Sequence, residues 1–148
     1  MPLTHASHSV LKILDPVYHS AIRFITDDAY QTHHCNLYDK VGWPSLSKRR
    51  DIHWYLFIFK SLIGKQPPYI TGMLDQKNIG RYSTRSSDLL LLKRPNAGSN
   101  LRQHSFMFTA PKMWNDLQKS LKIRTLPTLK QFRTLISGQC TSVCNCFM

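Results

Sequence analysis

Two adjacent carboxylates, Asp27 and Asp28, are the first residues whose types and spacing suggest chemistry. Enzymes that use two metal ions hold them on closely placed carboxylates, and the metals stabilise the attacking and leaving oxygens. Here the pair follows residues 24–26, at the end of a segment with helical periodicity, rather than lying in a strand-turn-strand. We therefore expect Asp27 and Asp28 to occupy a helix end or loop, and we predict no catalytic residue in this chain.

Three cysteines near the end of the sequence, Cys140, Cys144 and Cys146, have the spacing C-x3-C-x-C. A closed zinc site needs four ligands, usually on two closely spaced pairs, and no histidine lies nearby in the sequence. Cys35 and His104 are far along the chain. The spacing therefore predicts a flexible, cysteine-containing tail over residues 138–148, with no metal and no cofactor.

The histidines His33, His34 and His53 are residue types that serve in acid–base catalysis and in metal binding. His33 and His34 are neighbours that point in different directions at a helix start, and no acidic residue stands at a spacing that would orient them. We expect these side chains to lie at the surface or to pack in the core. The sequence also lacks a nucleophile-elbow glycine pattern and a phosphate-binding glycine loop.

Charge is the strongest functional signal in the composition. The 148 residues carry 20 Lys and Arg against 8 acidic residues, all of them Asp, for a net charge of +12. Residues 1–45 have a net charge of -1, from 3 cations and 4 Asp, whereas residues 46–148 have a net charge of +13. This asymmetry favours a polyanionic partner, nucleic acid before membrane, because no apolar run is long enough to span a bilayer. A basic protein without a dedicated partner is the alternative.

The N-terminal sequence carries no pattern of basic residues followed by a continuous apolar stretch, so secretion is not expected. We expect an intracellular chain, nuclear or cytoplasmic, with reduced thiols. We also expect a flexible N-terminus over residues 1–9 and one folded region over residues 10–137.

The central segment, residues 45–64, joins the clearest helical periodicity to the densest basic cluster. Ser45 is a suitable N-cap, and Gly64 is suited to the left-handed conformation that ends many helices. The cluster Lys48, Arg49 and Arg50 lies in the first turns, where the helix dipole disfavours cations. It is either a solvated basic face or a surface that contacts phosphates.

The fold class that we predict is mainly α (α+β), a small helical bundle with one β-hairpin. Helices are expected from Asp15 and Pro16 to Ile25, from a Thr32 cap to Val41, and from Pro67 to Leu74. Two more should begin at residues 110–111 and 127–128, the last of these helices being followed by Gly138. The apolar run at 88–94 and the alternating residues 102–109 predict the two strands of the hairpin. Within this fold Trp54 and Trp114 have the spacing of core residues, whereas Trp43 is a candidate for stacking on bases.

Four segments also carry a family resemblance. Residues 42–46 read GWPSL, with Arg49 and Arg50 after them, residues 59–70 read FKSLIGKQPPYI, residues 84–86 read TRS and residues 110–117 read APKMWNDL. In this order they resemble the region downstream of the polymerase core in reverse transcriptases of LINE-type (non-LTR) retrotransposons. The resemblance covers residues 11–136.

This resemblance implies a thumb-like, post-polymerase fragment that lacks the catalytic palm and is not an enzyme by itself. It implies an auxiliary role in binding RNA or DNA backbone with low specificity, beside an upstream polymerase region that would be a second partner. The alternative is a transposon-derived remnant without selected activity, at most a protein-interaction surface. The contacts that we expect, chosen by charge and by segment, are Lys48, Arg49, Arg50, Lys60, Lys65, Arg81, Arg85, Lys93 and Arg94.

Overall fold

The computed structural model describes residues 8–76 and 89–139, and these residues are mainly helical. The chain divides into two compact units. The first unit comprises Met1–Ile52 together with Gln139–Met148, and the second comprises His53–Gly138. The boundary falls within one helix, so each unit is described by itself.

The first unit contains α1 (His8–Lys12), α2 (Leu14–Thr26), α3 (His34–Val41) and the first turns of α4 (Leu46–Leu62). Ile22 of α2 and Leu37 of α3 are fully buried, because these two helices pack against each other. The prediction that α3 ends at Gly42 is confirmed, since Gly42 has a φ of 64°. The predicted Thr32 cap is wrong by one residue: His33 is the N-cap, and its ring Nδ1 accepts a hydrogen bond from the Cys35 backbone N–H.

The central helix α4 follows its predicted boundaries closely. Ser45 Oγ accepts a hydrogen bond from the Lys48 backbone N–H, as expected of an N-cap. Gly64, with a φ of 70°, lies in the left-handed region. Its N–H donates to the Ser61 carbonyl, and the Lys65 N–H donates to the Lys60 carbonyl at 2.8 Å. This pair of hydrogen bonds satisfies carbonyls that would otherwise be unpaired at the helix end.

The second unit contains the rest of α4, then α5 (Pro68–Thr71), α6 (Asn100–Gln103), α7 (Phe106–Leu121) and α8 (Leu129–Gln139). Its core is aromatic: the rings of Phe59 and Phe132 stack with centroids 4.1 Å apart, and Trp114 lies 5.9 Å from Phe132. All three side chains are fully buried, and Trp54 is nearly so. The prediction that Trp54 and Trp114 pack in the core is therefore confirmed.

The last helix begins with a reciprocal cap. The Gln131 side chain accepts a hydrogen bond from the Thr128 backbone N–H at 2.9 Å, and Thr128 Oγ1 accepts one from the Gln131 N–H at 3.3 Å. This is the capping-box arrangement, and it starts α8 at Leu129, just after the expected residues 127–128. Gly138 was expected after the helix but lies within it, because α8 extends to Gln139.

The predicted β-hairpin is wrong for the residues that the structure describes. Residues 102–109, expected as its second strand, lie mainly in the helices α6 and α7, with a turn at 104–105 between them. Helix α7 starts at Phe106 rather than at the expected residues 110–111. Ser99 Oγ accepts a hydrogen bond from the Arg102 N–H and caps α6. Residues 89–94 form no strand either; Leu92 makes an isolated antiparallel bridge with Gln76. Side chains of α7 occupy the Leu90 carbonyl and both backbone groups of Leu92, so these groups are not available to a second strand.

Candidate nucleic-acid interface

Residues 89–94 carry two of the predicted contact residues, Lys93 and Arg94, and they are held by polar side chains rather than by a sheet. Asn115 Oδ1 accepts a hydrogen bond from the Leu92 N–H, and Asn115 Nδ2 donates one to the Leu92 carbonyl, both at 2.9 Å. One amide side chain thereby satisfies both backbone groups of a residue that is only 2% exposed. Such pairing is required of buried backbone groups.

Leu90 is held in a similar way, two residues earlier. Its carbonyl accepts hydrogen bonds from Trp114 Nε1 at 2.6 Å and from Gln118 Nε2 at 3.2 Å. Its N–H donates to the Ile123 carbonyl. Gln118 is almost fully buried, and its Oε1 accepts the Ile123 N–H, so the amide has partners for both of its polar atoms.

The consequence is a fixed position for the basic end of the segment. The Lys93 N–H donates to the Asp75 carbonyl at 2.8 Å, while the Lys93 and Arg94 side chains are exposed. The Arg94 guanidinium lies 5.1 Å from the centre of the Phe108 ring, within the range of a cation–π interaction. Arg94 is thus oriented by α7 without being removed from solvent.

An open cleft of about 550 Å³ lies between residues 89–94 and α7. Three basic residues line it, Lys93, Arg94 and Lys119, together with leucines and the two amide side chains that hold the segment. Lys119 also pairs with Asp116 at 2.7 Å on the exposed face of α7, and this hydrogen bond lowers the pKa of Asp116. We name this feature the basic cleft, and its lining of leucines and cations suits a base and its phosphate.

The basic cluster at the start of α4 is placed differently. Lys48, Arg49 and Arg50 are half-buried in the first unit. The Arg49 guanidinium donates a hydrogen bond to the Tyr18 hydroxyl and lies 5.3 Å from the centre of the Trp43 ring. A nitrogen of Arg50, Nη1, is buried and makes no hydrogen bond. Part of this cluster therefore serves the packing of the first unit.

The other predicted contact residues are spread along the second unit. Lys60 is half-buried in the last turn of α4, where a cation is favourable for the helix dipole, and Lys65 is exposed just after it. Arg81 and Arg85 lie outside the described residues. Of the predicted set, the structure brings Lys93 and Arg94 together at the basic cleft, and Lys48, Arg49 and Arg50 together at the start of α4.

Several exposed cations were missed by the sequence prediction. They lie on α6, α7, α8 and the connection between α7 and α8: Arg102, Lys112, Lys119, Lys122, Arg124, Lys130 and Arg133. The available signal was the helical spacing of buried residues in α7, which leaves Lys112 and Lys119 on the opposite face. The helix expected from residues 110–111 already contains that spacing, so both lysines could be selected from the sequence.

Of the remaining candidates, Asp27 and Asp28 have structural roles. Asp27 ends α2 in a left-handed conformation, with a φ of 54°, so the prediction of a helix end is confirmed. Asp28 pairs with Lys40, and this hydrogen bond lowers the pKa of Asp28. Trp43 is 40% exposed and His53 is exposed. Cys140, Cys144 and Cys146 lie outside the described residues.

No family model matches the chain, and neither a curated protein nor a solved structure matches it significantly. Within the described residues, no helix combines the length and the apolar composition needed to cross a bilayer.

Proposed function

We propose that this chain is a non-catalytic nucleic-acid-binding region, similar to the part that follows the polymerase core in LINE-type reverse transcriptases. The observation that carries the proposal is the large positive net charge of the second unit. That unit holds 14 Lys and Arg against three Asp, a net charge of +11. A surface of this sign attracts the phosphate backbone and releases its counterions, whatever the base sequence.

The basic cleft is the centre of the proposed interface. Lys93, Arg94 and Lys119 would contact phosphates, and the leucines between them would contact the face of a base or sugar. Hydrogen bonds from side chains of α7 hold the backbone of Leu90 and Leu92 just before Lys93, so this backbone needs little ordering on binding. Lower ordering cost favours affinity. Lys60, Lys65, Arg81 and Arg85 extend the proposed interface along the chain. Lys48, Arg49 and Arg50 would contribute less, because all three are half-buried and Arg49 contacts Tyr18 and Trp43.

A protein partner is supported by a separate feature of the first unit. Val17 and Phe24 of α2 and Ile13, the residue before it, have the spacing of one helical face, and they are 67%, 90% and 68% exposed. Apolar stripes of this kind mark protein contacts. In the proposed function this stripe would face the upstream polymerase region. In the alternative, a transposon-derived remnant, it would be a contact surface without selected activity.

Binding of the full chain to labelled RNA and DNA homopolymers tests the proposal, measured by fluorescence anisotropy over a series of salt concentrations. We expect similar affinities for different base compositions, and log K that falls linearly with log salt by about 0.7–0.9 per phosphate contacted. Absence of binding at low salt would contradict the proposal and favour the remnant. A strong preference for one base sequence would contradict the assignment to the backbone.

A further inference from the structure

Three metal-ligating side chains come together at the start of α3, in the first unit. The candidate ligand atoms of His33, His34 and Cys35 all lie within 4.8 Å of one another. Imidazole nitrogen and thiolate sulfur are the ligands that Zn²⁺ takes most often in proteins. The sequence predicts no metal here, because neighbouring histidines were expected to point in different directions.

The backbone explains why these neighbours converge. His33 is the N-cap, with extended φ and ψ of -64° and 140°, and the chain becomes helical at the next residue. The change of conformation brings the two imidazole rings to a centroid distance of 4.2 Å. Cys35, in the first turn of the helix, forms no disulfide and is half-buried beside them.

His19 of α2 supports this cluster from the neighbouring helix. Its ring stacks on that of His34 with centroids 5.3 Å apart and an angle of 12° between the planes. His19 Nε2 in turn shares a hydrogen bond with the Tyr38 hydroxyl at 2.5 Å. The orientation of His34 is therefore fixed by a residue that lies outside the three candidate ligands.

We propose that His33, His34 and Cys35 bind a Zn²⁺ ion, with His19 as a positioning residue for His34. Three protein ligands leave a fourth position for water or for another ligand. His33 Nδ1 accepts the Cys35 N–H at 3.4 Å, and coordination ends this bond, because Nδ1 then carries either the metal or a proton. The bond is long and exposed, so its loss costs little.

The experiment uses the full chain in which Cys140, Cys144 and Cys146 are changed to Ser, so that Cys35 is the one thiol present. Co²⁺ replaces Zn²⁺ as the spectroscopic probe, and Zn²⁺ affinity is measured by competition. We expect one Co²⁺ per chain with a thiolate charge-transfer band. Cys35→Ser should abolish that band, and His33→Gln and His34→Gln should each weaken Zn²⁺ binding at least about tenfold, since each removes a direct ligand.

Two further variants keep the result interpretable. His104→Gln, which changes an exposed histidine of the second unit, should leave the band and the affinity unchanged. His19→Leu should weaken Zn²⁺ binding about tenfold while keeping the charge-transfer band, since it removes a support and no ligand. Circular dichroism checks that each variant folds. A missing band in the parent, or a band that survives Cys35→Ser, would overturn the site. Unchanged affinity in His19→Leu would overturn the positioning role.

Discussion

The two units differ most in what they do with their charges. The first unit has six Lys and Arg and five Asp, a net charge of +1, against +11 in the second. In the first unit, three cations bind other residues of the same unit. Lys40 pairs with Asp28, Arg23 donates to the Thr32 carbonyl, and Arg49 donates to the Tyr18 hydroxyl. In the second unit most cations are exposed, and aromatic stacking and buried amides stabilise the fold instead.

This difference shows that a basic cluster in a sequence does not by itself identify a binding surface. Lys48, Arg49 and Arg50 form the densest cluster, yet Arg49 lies against two aromatic rings. Lys93 and Arg94 form a shorter cluster that the fold presents to solvent. Substitutions that remove equivalent groups from each unit should separate packing from binding.

The largest expected effect compares two tryptophans. Trp114 is fully buried, stacks with Phe59, contacts Phe132 and donates to the Leu90 carbonyl. Trp114→Ala should lower the free energy of unfolding by about 3–5 kcal/mol, because it leaves a cavity and removes a hydrogen bond. Trp43→Ala, at an exposed position of the first unit, should cost much less. Urea unfolding followed by circular dichroism measures both, and equal costs would contradict the assigned core.

The next effect tests the amide that holds residues 89–94. Asn115→Ala leaves the buried N–H and carbonyl of Leu92 without their partners, which should cost at least about 2 kcal/mol, since each unsatisfied buried group costs about 1–3 kcal/mol. It should also weaken RNA binding, since Lys93 and Arg94 lose their fixed position. Ser120→Ala, on the exposed side of α7, is the matched control and should stay within about 0.5 kcal/mol of the parent. Unchanged stability in Asn115→Ala would contradict the role of Asn115.

A smaller effect separates a packed cation from a solvent-exposed one. Arg49→Ala removes a hydrogen bond to Tyr18 and the contact with Trp43, so it should lower the free energy of unfolding by about 1–2 kcal/mol. Lys65→Ala, in the second unit, should have almost no effect on stability. The same urea titrations test this pair. If Lys65→Ala proved as costly as Arg49→Ala, the contrast between the units would fail.

The smallest expected effect is on the stability of the protein at low pH. The hydrogen bond from Lys40 lowers the pKa of Asp28 below its usual value of 3.8, so the unfolded chain binds the proton more tightly. The stabilisation is therefore complete above pH 3.8 and is lost as pH falls through the lower folded pKa. Asp28→Asn should flatten the pH dependence of unfolding in that window. Asp116→Asn should change it less, because its partner Lys119 is largely exposed. The reverse order would contradict this assignment.

How far the sequence predicts the fold depends on whether the signal is local. The caps of α4 and the end of α3 could be predicted, because Ser45, Gly64 and Gly42 act within one turn of themselves. The absence of a hairpin from the described residues could not be predicted, since an apolar run gives the same pattern whether its backbone pairs with a strand or with side chains. Asn115, Trp114 and Gln118 occupy that backbone from more than 20 residues away.

The candidate sites also combine local signals, which the sequence shows, with contacts between distant residues, which it does not. Lys93 and Arg94 could be selected from their charge, but Lys119 joins them only through the fold. The convergence of His33, His34 and Cys35 depends on one change of backbone conformation at His33, and the stacking of His19 on His34 depends on how α2 and α3 pack. Spacing along the sequence carries neither piece of information.

The most direct test of the central claim is the salt dependence of nucleic-acid binding by two triple variants. One changes Lys93, Arg94 and Lys119 to Ala, and the other changes Lys48, Arg49 and Arg50 to Ala. Each phosphate contact contributes about 0.7–0.9 to the slope of log K against log salt. We predict that the first variant flattens the slope by about 2–3 units and that the second flattens it less. A slope unchanged in the first variant, or flattened more in the second, would contradict the assignment of binding to the basic cleft.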